Sequence, residues 1–168
     1  TSALESWSLQ KCNKSADTWN NCFSTYTFTS GIYSGAKYSG EWKNNVPHGD
    51  GMLVFIDGEN YVGEFRNGGK HGKGIYTFVN GDVYEGEFHQ DKYHGFGTFT
   101  HKDGEYYEGY WRNNLKHGMG TYYWLDGMID EGEFEKGKLN GYAKRTYPDG
   151  RIKEGVWKDD KFQYSKKK

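Results

Sequence analysis

The chain has 168 residues, with 22 Lys+Arg against 23 Asp+Glu, and its apolar area comes mainly from 15 Tyr, 10 Phe and 6 Trp. A formal net charge of −1 gives no overall field favouring nucleic acid, and no apolar run reaches the roughly 18 residues of a transmembrane helix. With 25 Gly and only 2 Pro, the composition suits tight hairpins around an aromatic core.

At the N-terminus a few residues near Leu4 to Leu9 carry helical periodicity; elsewhere the patterning is that of strands and turns. The first residue is Thr1 and no apolar leader is visible, so any targeting peptide is expected to have been removed or never to have been included. Cys12 and Cys22 are the only cysteines and flank a short loop. A disulfide there would close a small ring contributing about 2 to 3 kcal/mol; two buried free thiols are the alternative. No CxxC or HxxxH spacing supports zinc. An even cysteine count points to an exported (periplasmic or extracellular) protein if the pair is bonded, and otherwise to a cytoplasmic or membrane-peripheral one. Further on, Tyr26-Thr27-Phe28-Thr29-Ser30-Gly31 matches Tyr76-Thr77-Phe78-Val79-Asn80-Gly81, so residues 1–37 are expected to end in a degenerate capping hairpin. Tyr38 follows Gly31 by seven positions where Tyr84 follows Gly81 by three, an interruption of four.

From Tyr38 the chain repeats every 23 residues, with copies starting at Tyr38, Tyr61, Tyr84, Tyr107 and Asp130, and a half copy from Lys153. This places five repeats over 38–152 and a half repeat with a Lys-rich tail over 153–168. In each copy YxGEF or YxGEW alternates so that two rings and a Gly share one face while Glu takes the other. A polar turn such as Asn67-Gly68-Gly69-Lys70 leads into HGxGxYxF, a returning strand. Asp57-Gly58, Asn80-Gly81, Asp103-Gly104, Asp126-Gly127 and Asp149-Gly150 close the units, and such pairs are strong hairpin signals. Bare Gly positions beside the rings (Gly40, Gly63, Gly86, Gly109) would let those rings lie over the backbone, so one face packs on itself.

The unit YxGEWxxxxxHGxGxxxxxDG resembles the MORN (membrane occupation and recognition nexus) repeat, over roughly residues 38 to 160. The resemblance implies an all-β, single-domain solenoid: an elongated, twisted antiparallel sheet made of tandem hairpins. It also implies no catalysis by the repeats and no cofactor, since relatives bind partner proteins, form homo-oligomers or contact acidic lipids. With the repeats running nearly to Lys168, no attached enzyme module is expected. Cys12 with the Trp19-Asn20-Asn21-Cys22 stretch is similar to the N-terminal part of short bacterial MORN proteins.

Residue ladders invite chemistry that spacing opposes. His48, His71, His94 and His117 recur two strands apart, roughly 10 Å, too far to share a zinc ion; each is expected to fix a turn entry through a backbone hydrogen bond. Glu41, Glu64, Glu87 and Glu133 are equally separated, so they are expected to answer Lys or backbone donors across strands rather than act as a paired-carboxylate site. The rings are the better functional material. Phe55, Tyr76, Phe78, Phe99, Tyr122, Trp124 and Tyr147 form candidate groove columns for a protein partner or a second copy, in a possible homodimer. The alternative is an acidic lipid surface read by Lys43, Arg66, Lys70, Arg112 and Lys116.

Overall fold

The computed structural model describes residues 9–13, 15 and 17–165; the helical reading near Leu4 and the lysine tail at 166–168 lie outside them. Thirteen strands are present and no helix occurs among the described residues. They are β1 (Cys22–Thr27), β2 (Lys37–Lys43), β3 (Val46–Val54), β4 (Asn60–Arg66), β5 (Gly69–Thr77), β6 (Val83–His89) and β7 (Lys92–Thr100). Then follow β8 (Tyr106–Arg112), β9 (Leu115–Tyr123), β10 (Ile129–Glu135), β11 (Lys138–Thr146), β12 (Ile152–Lys158) and β13 (Lys161–Tyr164). Strand order follows chain order in one open antiparallel sheet, as tandem hairpins require.

Two compact units divide the chain, Thr1–Asn80 with Phe88–Asp91, and Gly81–Glu87 with the chain from Lys92 onward. In the first, the register Gly40↔Gly51 and Gly63↔Gly74 puts paired glycines opposite one another. The Tyr61 ring lies across the Gly63–Gly74 pair: a Cβ on Gly74 would sit 2.6 Å from the ring carbon that bears the hydroxyl. Only a residue without a side chain fits there. The ring is wholly buried, and its hydroxyl donates to the Glu64 carbonyl at 2.8 Å. Edge-to-face contacts then link Trp42, Tyr38, Phe65, Tyr61 and Phe88 into one ladder, with neighbouring centroids 4.8 to 5.3 Å apart.

The second unit repeats this with Tyr84 over Gly86 and Gly97 and Tyr107 over Gly109 and Gly120. The fifth copy breaks the pattern in a coupled way. Asp130 replaces the tyrosine and Ala143 replaces the second glycine, because with no ring overhead the extra methyl has room. Asp130 is 2% exposed and is held by Arg145 Nε at 2.5 Å, Arg145 Nη2 at 2.7 Å and Trp124 Nε1 at 2.9 Å.

Two kinds of turn join the strands of the repeats. Both central residues take positive φ at Asn44–Asn45, Asn67–Gly68, Gln90–Asp91, Asn113–Asn114, Lys136–Gly137 and Asp159–Asp160, the backbone of a type I′ hairpin. At Asp57-Gly58 only the glycine does so; Phe55 N–H donates to the Glu59 carbonyl and Gly58 N–H to the Phe55 carbonyl. This is a longer loop that the glycine completes.

Candidate protein-binding surface

In β4–β5 the register shifts between Gly63 and Phe65, a bulge where the Glu of YxGEF meets the HG pair, and the same shift recurs in β2–β3, β8–β9 and β10–β11. Gly72 there has φ of 58°, and a Cβ would lie 2.5 Å from the Glu64 carboxyl carbon. That carboxylate accepts the Lys73 N–H at 2.8 Å, and Glu87 accepts the Phe96 N–H at 3.0 Å. The Glu ladder therefore serves backbone donors. The His ladder departs from its expected role at His48, whose Nδ1 is buried without a hydrogen-bond partner. At His71 it is the backbone carbonyl that is bonded, by the Tyr61 hydroxyl at 3.3 Å. Burial, then Lys43 and Arg66, holds the His48 imidazole below its ordinary pKa; burial, then His89 and Arg66, does the same for His71.

Tyr76, Phe99 and Tyr122 stand directly across from ladder tyrosines Tyr61 and Tyr107 and share their face, while Phe55, Phe78, Trp124 and Tyr147 follow just past the ends of β3, β5, β9 and β11. In the first unit Phe55, Tyr76 and Phe78 are half-buried and meet in series, Phe55–Tyr76 at 6.0 Å and Tyr76–Phe78 at 4.8 Å. In the second, Phe99 is half-buried 6.3 Å from Trp111, Trp124 is half-buried against Tyr122 at 4.2 Å, and Tyr147 is half-buried with Arg151 over it at 5.1 Å. Tyr122 is the exception. At 7% exposed, with its hydroxyl on Glu105 at 2.9 Å, it is a core residue.

The five candidate cations do not form one set. Lys43, Arg66 and Arg112 are exposed. Lys70 is buried, its ammonium 4.9 Å from the Tyr76 ring centre and 5.5 Å from that of Phe55, and Lys116 sits 4.4 Å from that of Tyr122. Burial lowers both lysine pKa values. These two stems cover rings and cannot present their charge on an open surface. The same position of the repeat holds Pro47, Tyr93 and Leu139 in other copies, so it is the slot that tunes the ring layer.

Cys12 and Cys22, the pair the sequence offered for a disulfide, are joined, with Cα atoms 4.9 Å apart. Three features escaped the sequence reading. Trp19 packs on Trp42 at 5.0 Å. The four interrupting residues carry Tyr33 over the ring layer to Phe55 at 6.1 Å, where its hydroxyl donates to Asp91 at 2.7 Å. The interruption itself was the signal, although nothing in it named the acceptor. Finally, the opposite side of the first unit bears Met52, Val62 and Ile75 in direct cross-strand register, each 40 to 47% exposed.

The MORN repeat profile matches residues 38–59, 61–83, 84–106, 107–129 and 131–150. The chain belongs to the MORN repeat family. MORN repeats are non-enzymatic modules that engage proteins or lipids. No curated protein matches it. Among solved structures it is similar to the SAS-4 (dCPAP) TCP domain of Drosophila melanogaster, determined in complex with a proline-rich motif of Ana2 (dSTIL). The two are 11% identical over 80% of this chain and 77% of that one, with a TM-score of 0.45. A likeness that slight carries no argument about this MORN chain. None of its described helices is long and apolar enough to cross a membrane, there being none.

Proposed function

We propose that this MORN chain is a non-catalytic scaffold that binds a partner protein, or a second copy of itself, through the half-buried rings beside its tyrosine ladder. One observation carries the reading. Phe55, Tyr76, Phe78, Phe99, Trp124 and Tyr147 rest on a layer that is already fully packed, so their outer surfaces are not needed for the core. Rings of limited rotamer freedom supported from below are what a protein interface uses as anchors. Among the described residues no group of three or more His, Cys, Asp or Glu side chains is placed to hold a metal ion, and Glu64 and Glu87 are committed to backbone donors. The bonded cysteine pair fits an exported location.

Light scattering coupled to size exclusion tests this, with and without vesicles of acidic phospholipid. Species larger than a monomer are expected, ignoring the vesicles, with Phe78→Ser plus Trp124→Ser returning them to monomer. A monomer that co-migrates with the vesicles would overturn the reading in favour of the lipid surface.

A further inference from the structure

Beside the turns of the first unit lies a cleft of about 730 Å³, within the range of roughly 300 to 1,000 Å³ that small ligands and short peptide segments occupy. Three bases converge on it. His71 and His89 have ring centres 5.0 Å apart, and Arg66 is close enough to help depress the His71 pKa. Like charges gathered this way repel one another, and an anion between them would reverse the sign of the interaction. The neighbouring carboxylates are already committed. Asp91, which also lines the cleft, accepts the Tyr33 hydroxyl at 2.7 Å and the Lys70 N–H at 3.0 Å, with the Lys70 ammonium 3.8 Å away. Glu64 holds the Lys73 N–H. Among the described residues Arg66 enters no ion pair.

The remaining lining is mixed, with Ser30, Asn45, Asn67 and Gln90 polar and one open apolar patch among them. Ile32 is 84% exposed and Val46 36%, with Phe28 and Pro47 beside them. A ligand that satisfies both halves carries its negative charge directly next to an apolar side chain. A free peptide C-terminus does so, with the carboxylate on the same Cα as the last side chain, and the planar guanidinium fork matches a carboxylate. A phosphorylated headgroup would meet the bases but leave the apolar wall unfilled.

We propose that this cleft binds the C-terminal carboxylate of a partner protein ending in an apolar residue. The carboxylate sits on Arg66 with His71 and His89 beside it, and the last side chain rests on Ile32 and Val46. The proposal rests on the protein-binding reading and assigns it a second contact, made by residues other than the groove rings. The test is fluorescence anisotropy of the full chain with a labelled, otherwise uncharged hexapeptide ending in leucine, as free acid and as amide. The free acid is expected to bind at least about ten-fold more tightly than the amide. Arg66→Gln should remove that preference with unchanged melting temperature, while Arg112→Gln, an exposed arginine of the second unit, leaves it intact. Equal binding of acid and amide would overturn the assignment, as would an Arg66→Gln chain that still prefers the acid. So would displacement of nothing by the peptide while inorganic phosphate or acidic vesicles bind in an Arg66-dependent way. Running Arg66→Gln and Phe78→Ser plus Trp124→Ser through both assays separates the two readings. Loss of association in the ring variant with peptide binding intact sinks only the ring-face reading; the reverse sinks only this one.

Discussion

Tyr61 shows how much one side chain fixes. Its ring forces glycine at two positions on two strands, its hydroxyl bonds the bulge, and its edge meets Phe65 and Phe88. Gly74→Ala is therefore expected to cost about 2 to 3 kcal/mol through overpacking, read by urea unfolding. Ala143→Gly, in the copy without the ring, should cost only about 0.5 to 1 kcal/mol, the backbone-entropy penalty of glycine. Removing the partner of a buried charge is worse. Arg145→Met leaves the Asp130 carboxylate, 2% exposed, with Trp124 alone, and should cost about 3 to 5 kcal/mol. The histidines predict a pH response. Folding lowers the pKa of His48 and His71, so the unfolded chain takes up protons first as pH falls below the ordinary histidine value of about 6.5. Stability is then full above that value and declines below it. His48→Asn with His71→Asn should flatten the fall in melting temperature between about pH 7.5 and 5.5. Glu41 and Asp50 work the other way. Burial, with a neighbouring carboxylate in each case, raises their pKa values, so protonating them at still lower pH returns some stability.

At the scale of the hairpin, both central turn residues must hold positive φ, and this chain does not always supply the residue that does so most cheaply. Lys136 stands at φ of 50° where other copies place Asn44, Asn67 and Asn113. Asparagine tolerates that region because its short polar side chain bonds locally, whereas a long side chain pays a steric cost. Lys136→Asn is expected to stabilise the chain by about 0.5 to 1 kcal/mol, visible as a raised urea midpoint with unchanged slope. The first strand depends on another device. An edge strand left bare invites pairing with other chains, and here the Phe23 N–H and carbonyl are bonded to the Gln10 carbonyl and the Cys12 N–H, beside the Cys12–Cys22 link. Cys12→Ser with Cys22→Ser should cost about 2 to 3 kcal/mol of loop entropy and expose the edge. Differential scanning calorimetry checks the first consequence and light scattering the second.

Over the whole chain, each repeat leans on its neighbours, so stability is close to a sum over units and interfaces. Gly74→Ala and Arg145→Met share no partner and should add to within about 0.5 kcal/mol. The sequence by itself determined the hairpin period, which face each ring takes and why glycine must accompany tyrosine, because alternation and close approach are local to a strand pair and repeat every 23 residues. What it left open depends on residues that approach only after folding. Tyr33 finds Asp91 across a separation of 58 residues. Lys70 and Lys116, exposed cations by composition, lie down over rings because their methylene stems are apolar. Arg66, His71 and His89 come together from three strands whose alignment is fixed by the turns and bulges between them, and that alignment is a property of the sheet.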